Sequence, residues 1–142
     1  MKLSRFVRNE RGAALVEMAL VLPIVILLFL GIIDFGRALF LYNNLTNAAR
    51  EGARFGAASF PPVVADITTR VESRITDFSG VAVTTGKVQV TVPASGCTGD
   101  CKVTVKIVNY PFTPITPLPQ VSGMTLSVGA TFRWEGTPSS AP

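Results

Sequence analysis

The chain carries three successive patterns of hydrophobic and polar positions, and the first is a long apolar run. From Ala13 to Ile33 nearly every residue is apolar, and Glu17 is the single charged residue in the run. At 1.5 Å per residue, a helix of this length spans about 30 Å, which is the thickness of the hydrocarbon core of a bilayer. The pattern therefore predicts a transmembrane helix over residues 13–33.

The second pattern continues this helix as an amphipathic segment over residues 34–59. Apolar or small residues recur at alternating spacings of three and four, which is typical of one face of a helix. These positions are Phe35, Ala38, Tyr42, Leu45, Ala49, Gly52 and Gly56. Such a helix is longer than a small domain needs for its own core, so its apolar stripe is expected to pack against a partner.

The last turns of this helix carry small residues, with Ala49, Gly52 and Gly56 on the predicted stripe. Each interior glycine costs about 1 kcal/mol of helix stability relative to alanine. Close backbone packing would explain this cost, with either the chain's own sheet or another subunit as the partner. The alternative is that the two glycines mark a fraying helix end.

The third pattern begins after Phe60 and combines a short helix with strands. Pro61 and Pro62 can open a helix whose apolar stripe runs to Phe78 and which ends near Ser79–Gly80. Alternation of apolar and polar residues then predicts half-buried strands, with apolar positions Val88, Val90 and Val92, then Val103, Val105 and Ile107, then Leu126, Val128, Ala130, Phe132 and Trp134. The expected fold class is α+β.

The predicted sheet is small and antiparallel, with three or four strands, and the two helices cover its apolar face. Residues 81–83 are a candidate edge strand, and the proline-rich run from Asn109 to Gln120 is expected to be a stiff surface loop rather than a polyproline ligand. The loop from Val108 to Gly123 is long enough to leave the strand order open. Residues 60–136 thus form the head, and residues 137–142 a frayed tail.

Charge sets the orientation of the chain in the membrane. Of the formal net charge of +4, residues 1–12 alone contribute +3. The positive-inside rule places this basic leader in the cytoplasm and the head outside it, in a single-pass arrangement. Since the rest of the chain is nearly neutral, it offers no basic patch for nucleic acid. A cleavable signal peptide is the rival interpretation, but the apolar run is too long for one and no small-residue cleavage site follows it.

The two cysteines, Cys97 and Cys101, lie between the first two predicted strands. With no histidine in the chain, they cannot complete a four-ligand zinc site. A disulfide suits an extracytoplasmic head, while free thiols are the alternative because a loop this short restricts disulfide geometry. The chain also shows no phosphate-binding loop and no activated nucleophile, so neither catalysis, nor a cofactor, nor a small-molecule substrate is expected.

Glu17 remains to be explained, because a charged residue in a lipid-facing helix costs roughly 2 kcal/mol or more near the bilayer centre. The carboxylate can reach toward the headgroups near Arg11. It can also meet a cation supplied by another chain. If the chain were cut after Gly12, the new α-amino group of Ala13 in a neighbouring copy would be such a cation.

Three motifs resemble those of a known family. The run R-G-A-A-L-V-E-M-A-L-V-L-P, residues 11–23, resembles the processing site of type IV pilin-like proteins. The runs G-I-I-D-F-G-R, residues 31–37, and A-A-R-E-G-A-R, residues 48–54, look like the TadE-like pseudopilins of the tight adherence (Tad) system. The resemblance covers residues 6–58 and leaves the carboxyl-terminal part of the chain without a matching motif.

The resemblance implies a function, partners and site residues. It implies that a prepilin peptidase cuts between Gly12 and Ala13, with Glu17 guiding processing or docking, in the bacterial cytoplasmic membrane. It further implies a minor pilin-like subunit that helps to assemble or cap an adhesive pilus, together with other Tad pilin-like subunits and the assembly platform. Ala13 departs from the phenylalanine common in type IV pilins. Pro23 lies early in the helix and is expected to affect its packing. The alternative function is an uncleaved, membrane-anchored binding or sensory ectodomain.

Overall fold

The computed structural model describes residues 10–59, 61–75, 86–94, 97, 100–116 and 123–134. Its helices are α1, Glu10–Ala58, and α2, Val64–Glu72. Its strands are β1, Val88–Thr91, β2, Lys102–Pro111, and β3, Thr125–Arg133. The predicted α+β fold, with a long amino-terminal helix, a short helix and a small antiparallel sheet, is confirmed.

The 49 residues of α1 form one continuous α-helix that includes Pro23. A proline inside a helix removes one backbone hydrogen bond, and here the flanking turns hold the helix together across it. From Ala13 to Phe29 every residue is exposed. Among the described residues, α1 is the one helix that is long and apolar enough to cross a membrane.

The three strands lie in the order β1-β2-β3, and both pairs are antiparallel. This settles the position of the last strand, which pairs with β2 on the side opposite β1. Helix α1 packs across β2 and β3, while α2 packs against α1 and β1. Both helices therefore cover the same face of the sheet, as the alternation of its apolar residues requires.

The core lies between this face and the two helices. The largest fully buried side chains come from both helices and the central strand, since α1 supplies Leu45, α2 supplies Ile67 and Val71, and β2 supplies Val103, Val105 and Ile107. Strand β3 lies at an edge of the sheet, and its inner residues are only partly buried. The helix that carries the apolar segment thus also supplies five residues of the described core cluster, Leu41, Leu45, Ala48, Ala49 and Ala53.

The stripe predicted on α1 is shifted in the structure. Leu41, Leu45, Ala48 and Ala49 are buried, whereas the predicted stripe residues Phe35 and Tyr42 are 67% and 49% exposed. Helical spacing alone allows either side of a stripe to face the sheet. In the structure, the side that carries Leu41 and Ala48 packs against the head, and the side that carries Phe35 and Tyr42 does not. The two aromatic residues therefore remain on the outer surface of α1.

Strand β2 is longer than predicted and includes residues 109–111, which had been expected to begin the proline-rich loop. A register shift between Ile107 and Tyr110 marks a bulge, and Asn109 there has a φ of 53°. Asparagine tolerates this left-handed conformation better than most residues. The bulge turns Tyr110 and Phe112 into the core, where both are buried.

Several other predictions can be compared only in part. Helix α2 ends at Glu72, earlier than the predicted end near residues 79–80, although Ile75 is still buried. Residues 1–9, the candidate edge strand at 81–83, and the tail at 137–142 lie outside the described residues.

Candidate functional site

The amino-terminal turns of α1 carry the predicted processing residues. Gly12, Ala13 and Glu17 all lie within the helix, and the side chains of Ala13 and Glu17 are exposed. Ala13 and Glu17 are separated by four residues, so they lie on the same side of the helix one turn apart. Among the described side chains, Glu17 forms no ion pair within the chain.

The apolar part of α1 beyond Glu17 has no packing partner within the described chain. Pro23, predicted to affect helix packing, is exposed like its neighbours. From Met18 to Phe29 the large apolar side chains are 40–69% exposed. A surface of this size and composition is stable in lipid and not in water.

The junction between the apolar helix and the head is built around Asp34. Its carboxylate accepts hydrogen bonds from the backbone N–H groups of Ile115, at 2.7 Å, and Thr116, at 2.8 Å. The hydroxyl of Thr116 donates a third hydrogen bond to it at 2.5 Å. Although it is charged, Asp34 is only 7% exposed. The first residue after the apolar run is thus tied to the segment that follows β2.

Arg37 completes this junction from the next turn of α1. Its guanidinium lies 3.5 Å from the Asp34 carboxylate, donates a hydrogen bond to the backbone oxygen of Thr113 at 3.3 Å, and lies 5.9 Å from the centre of the Phe112 ring. We call Asp34, Arg37 and residues 112–116 the junction clamp. It joins two parts of the chain that are separated by more than seventy residues in sequence.

The electrostatics of the clamp favour the ionised form of Asp34. The hydrogen bond from the Ile115 N–H, followed by the hydroxyl of Thr116, holds the pKa of the Asp34 carboxyl below its usual value of 3.8. The backbone N–H of Thr116 and the positive charge of Arg37 lower the pKa further, whereas burial acts in the opposite direction. Asp34 is therefore ionised at neutral pH and acts as a hydrogen-bond acceptor.

The small residues of α1 form a close packing surface at the other end of the helix. Ala49 is fully buried, and Gly52 and Gly56 are buried beside it. A Cβ added at Gly56 would lie 2.5 Å from Ile67 Cδ1 and 2.9 Å from Val103 Cγ1, and one at Gly52 would overlap the side chain of Val71. In this structure the glycines pack against α2 and β2 of the same chain.

Cys97 and Cys101 form a disulfide, with an S–S distance of 2.01 Å. The bond closes the connection between β1 and β2 at the end of the sheet that is far from the junction clamp. Nearby, the side chains of Lys102 and Asp100 form an ion pair, and the indole N–H of Trp134 donates a hydrogen bond to the backbone oxygen of Ser59 at 3.1 Å. The disulfide predicted from the sequence is therefore present in the structure.

Within the described ranges, no set of three or more histidine, cysteine, aspartate or glutamate side chains is placed to hold a metal ion. Sequence reasoning missed the role of Asp34, although it named the residue within a family motif. The signal was an acid directly after an apolar run with an arginine three residues later, but its partners are remote in sequence.

Comparison with known proteins bears on the helix and not on the head. Residues 12–54 match the family model described as "TadE-like protein". This confirms the resemblance inferred from the motifs, is consistent with a TadE-like protein of the Tad system, and implies a pilin-like role associated with the Tad pilus. No curated protein and no solved structure matches the chain. The matched segment begins at Gly12 and includes both residues of the clamp on α1, Asp34 and Arg37.

Proposed function

We propose that this chain is a minor pilin-like subunit that helps to assemble or cap an adhesive pilus of the Tad type. The observation that carries the proposal is the match of residues 12–54 to the TadE-like family, on a helix whose apolar surface is exposed. The apolar helix fits membrane anchoring of a Tad component. Proteins of this pilin-like family are in general non-enzymatic, and the proposal gives the chain no catalytic role.

The proposed topology follows from charge and length. Residues 1–12 are a cytoplasmic leader, residues 13–33 cross the membrane, and residues 34–59 extend the same helix away from it. Residues 60–136 form the extracytoplasmic head and residues 137–142 its tail. The cytoplasmic membrane of a bacterium is the proposed location before assembly, and a surface pilus the location after it.

The proposed maturation step is hydrolysis of the peptide bond between Gly12 and Ala13 by a prepilin peptidase. The cut leaves a protonated α-amino group on Ala13, at the start of the apolar part of α1 and one turn from Glu17. In an assembly of several subunits, the amine of one copy can pair with the Glu17 carboxylate of another, which offsets the cost of both charges in lipid. The other proposed partners are Tad pilin-like subunits and the assembly platform.

Mass spectrometry of the protein extracted from membranes tests the maturation step. In cells that contain the cognate peptidase, we expect an amino terminus at Ala13. A chain that keeps residues 1–12 under these conditions would contradict maturation and would favour the alternative, an uncleaved membrane-anchored binding or sensory ectodomain. A peptidase-deficient strain is the matched control and should yield only the uncut chain.

Substitution of Glu17 tests the proposed docking. We expect Glu17→Ala and Glu17→Gln to reduce incorporation into pili strongly while the head remains folded, because Glu17 lies far from the head along α1. Incorporation is measured by quantifying the subunit in sheared pili, and folding by disulfide formation in the membrane fraction. Normal incorporation of both variants would leave only the interpretation in which Glu17 reaches toward the headgroups.

A further inference from the structure

We propose that the head rests on the bilayer surface through residues 112–116, with Ile115 inserted among the lipid headgroups and the junction clamp holding it there. The inference needs only the membrane span of α1 and does not depend on pilus assembly or on cleavage. It assigns a second lipid contact to the chain, made by the head rather than by the helix.

The length of the apolar run determines the position of Asp34 along the bilayer normal. Residues 13–33 span about 30 Å as a helix, which matches the hydrocarbon core of a bilayer, so Asp34 lies at its boundary. The headgroup layer beyond this boundary is roughly 5–8 Å thick on each side. A group bound directly to the Asp34 carboxylate therefore lies inside that layer or at its edge.

The hydrogen bonds of Asp34 hold part of the head at the same level relative to the bilayer. The N–H groups of Ile115 and Thr116 are 2.7 Å and 2.8 Å from the carboxylate oxygens, and Arg37 binds the backbone oxygen of Thr113 one turn above. Three donors satisfy the charge of Asp34, which explains how an ionised acid is tolerated at the edge of the hydrocarbon. Residues 113–116 are thus held at the depth of the headgroups by their contacts with Asp34 and Arg37.

Three apolar side chains near this level are exposed. Ile115 is 54% exposed, although its own N–H group is bound within the clamp. Met124, whose backbone oxygen accepts a hydrogen bond from Phe112 at 2.9 Å, is 49% exposed, and Phe35 on α1 is 67% exposed. Single exposed apolar residues are ordinary on protein surfaces, but here Phe35 follows the apolar run directly, Ile115 is bound to Asp34 at the end of that run, and Met124 is paired with Phe112 in the clamp.

The consequence is a head with a fixed orientation. One end of the sheet, where β2 ends and β3 begins, faces the bilayer, and the end with the disulfide faces away from it. From Asp34 to Ala58, α1 rises about 36 Å, so the disulfide-bonded connection is presented far from the lipid surface. With lipid contact and clamp together, the helix and the head move as one body.

Fluorescence quenching on the full chain tests the proposal. Ile115→Cys is labelled with an environment-sensitive fluorophore, which is selective because Cys97 and Cys101 are joined in a disulfide. The protein is placed at one copy per nanodisc, in phosphatidylcholine and phosphatidylglycerol containing lipids with a nitroxide at the headgroup. Thr91→Cys is the matched control, since Thr91 is also exposed but lies toward the far end of the sheet.

We expect the label at residue 115 to lose most of its fluorescence and the label at residue 91 to lose little. Equal quenching at both positions, or none at either, would overturn the lipid contact while leaving the proposed maturation untouched. Asp34→Asn in the labelled chain should restore much of the fluorescence at residue 115. Unchanged quenching in that variant, with the disulfide intact, would overturn the role assigned to the clamp.

Discussion

Asp34 shows how one residue connects the membrane segment to the head. A carboxylate is the side chain that can accept several hydrogen bonds from backbone N–H groups at once, and here it accepts two of them together with the Thr116 hydroxyl. The segment after β2 would otherwise leave these donors without partners near an apolar surface. Asp34 thereby sets where the chain turns back from β2 toward α1.

Asp34→Asn is expected to destabilise the junction, because the amide lacks the charge and replaces one acceptor oxygen with a donor. Hydrogen exchange at the Ile115 and Thr116 amides should become faster in the variant. Thr116→Val, which removes one donor of three, is the matched control and should have a smaller effect. Unaltered exchange in Asp34→Asn would contradict the clamp.

The lowered pKa of Asp34 also predicts a pH dependence. Since the folded state holds the carboxyl pKa below 3.8, protons bind more tightly to the unfolded state. The stabilisation is therefore complete above about pH 4 and is lost as the pH falls through the folded-state pKa. The thermal unfolding temperature of the wild type should fall as the pH is lowered through this range. This part of the acid sensitivity should be absent from Asp34→Asn.

At the scale of the elements, α1 changes character twice along its length. Its first part is apolar on all sides, its middle packs large side chains such as Leu41 and Leu45 against the sheet, and its end packs Ala49, Gly52 and Gly56. The small residues let α2 and β2 approach the helix backbone closely. The conformational cost of glycine is thus offset by packing of Ile67, Val71 and Val103.

Two glycine substitutions on the same helix should have opposite effects. Gly56→Ala gains helix propensity but forces Ile67 and Val103 to shift, so overpacking should lower the free energy of unfolding by about 1–3 kcal/mol. Apart from the helix's own backbone, the Cβ added in Gly36→Ala meets no atom within 4 Å, so this substitution should raise that free energy by up to about 1 kcal/mol. Denaturant unfolding in detergent measures both. A stabilised Gly56→Ala variant would show that the packing is looser than described.

At the scale of the whole molecule, the head does not contain its own complete core. Helix α1 supplies Leu41, Leu45, Ala48, Ala49 and Ala53 to the same buried cluster as α2 and β2. Removal of one buried leucine costs about 2–5 kcal/mol, against a total stability of about 5–15 kcal/mol for a typical domain. The extension of the membrane helix is therefore part of the folded head rather than a linker to it.

Two truncated chains test this. A chain that begins at Asp34 keeps the core side of α1 and the clamp, and we expect it to fold and to unfold cooperatively. A chain that begins at Phe60 exposes the apolar face of β2 and should remain unfolded or aggregate. Circular dichroism and dispersion of amide resonances distinguish the two. Cooperative unfolding of the shorter chain would contradict the shared core.

Particular residues show how far the sequence was sufficient. Alternation around Val103, Val105 and Ile107 predicted a buried strand face because a strand places successive side chains on opposite sides, whatever it pairs with. The stripe on α1 was partly wrong, since Phe35 and Tyr42 lie outward. Two adjacent faces of that helix had similar composition, and only contact with the sheet distinguishes them.

The sequence by itself determined the apolar span, the continuous helix, the α+β class and the similarity to TadE-like proteins, because these depend on local periodicity and short motifs. Only the tertiary structure decided the order of the strands, the bulge at Asn109 and the partners of Asp34. These features depend on which distant segments meet. Asp34 and Thr116 are 82 residues apart, and the packing of the core brings them together. A local sequence pattern cannot predict such a contact.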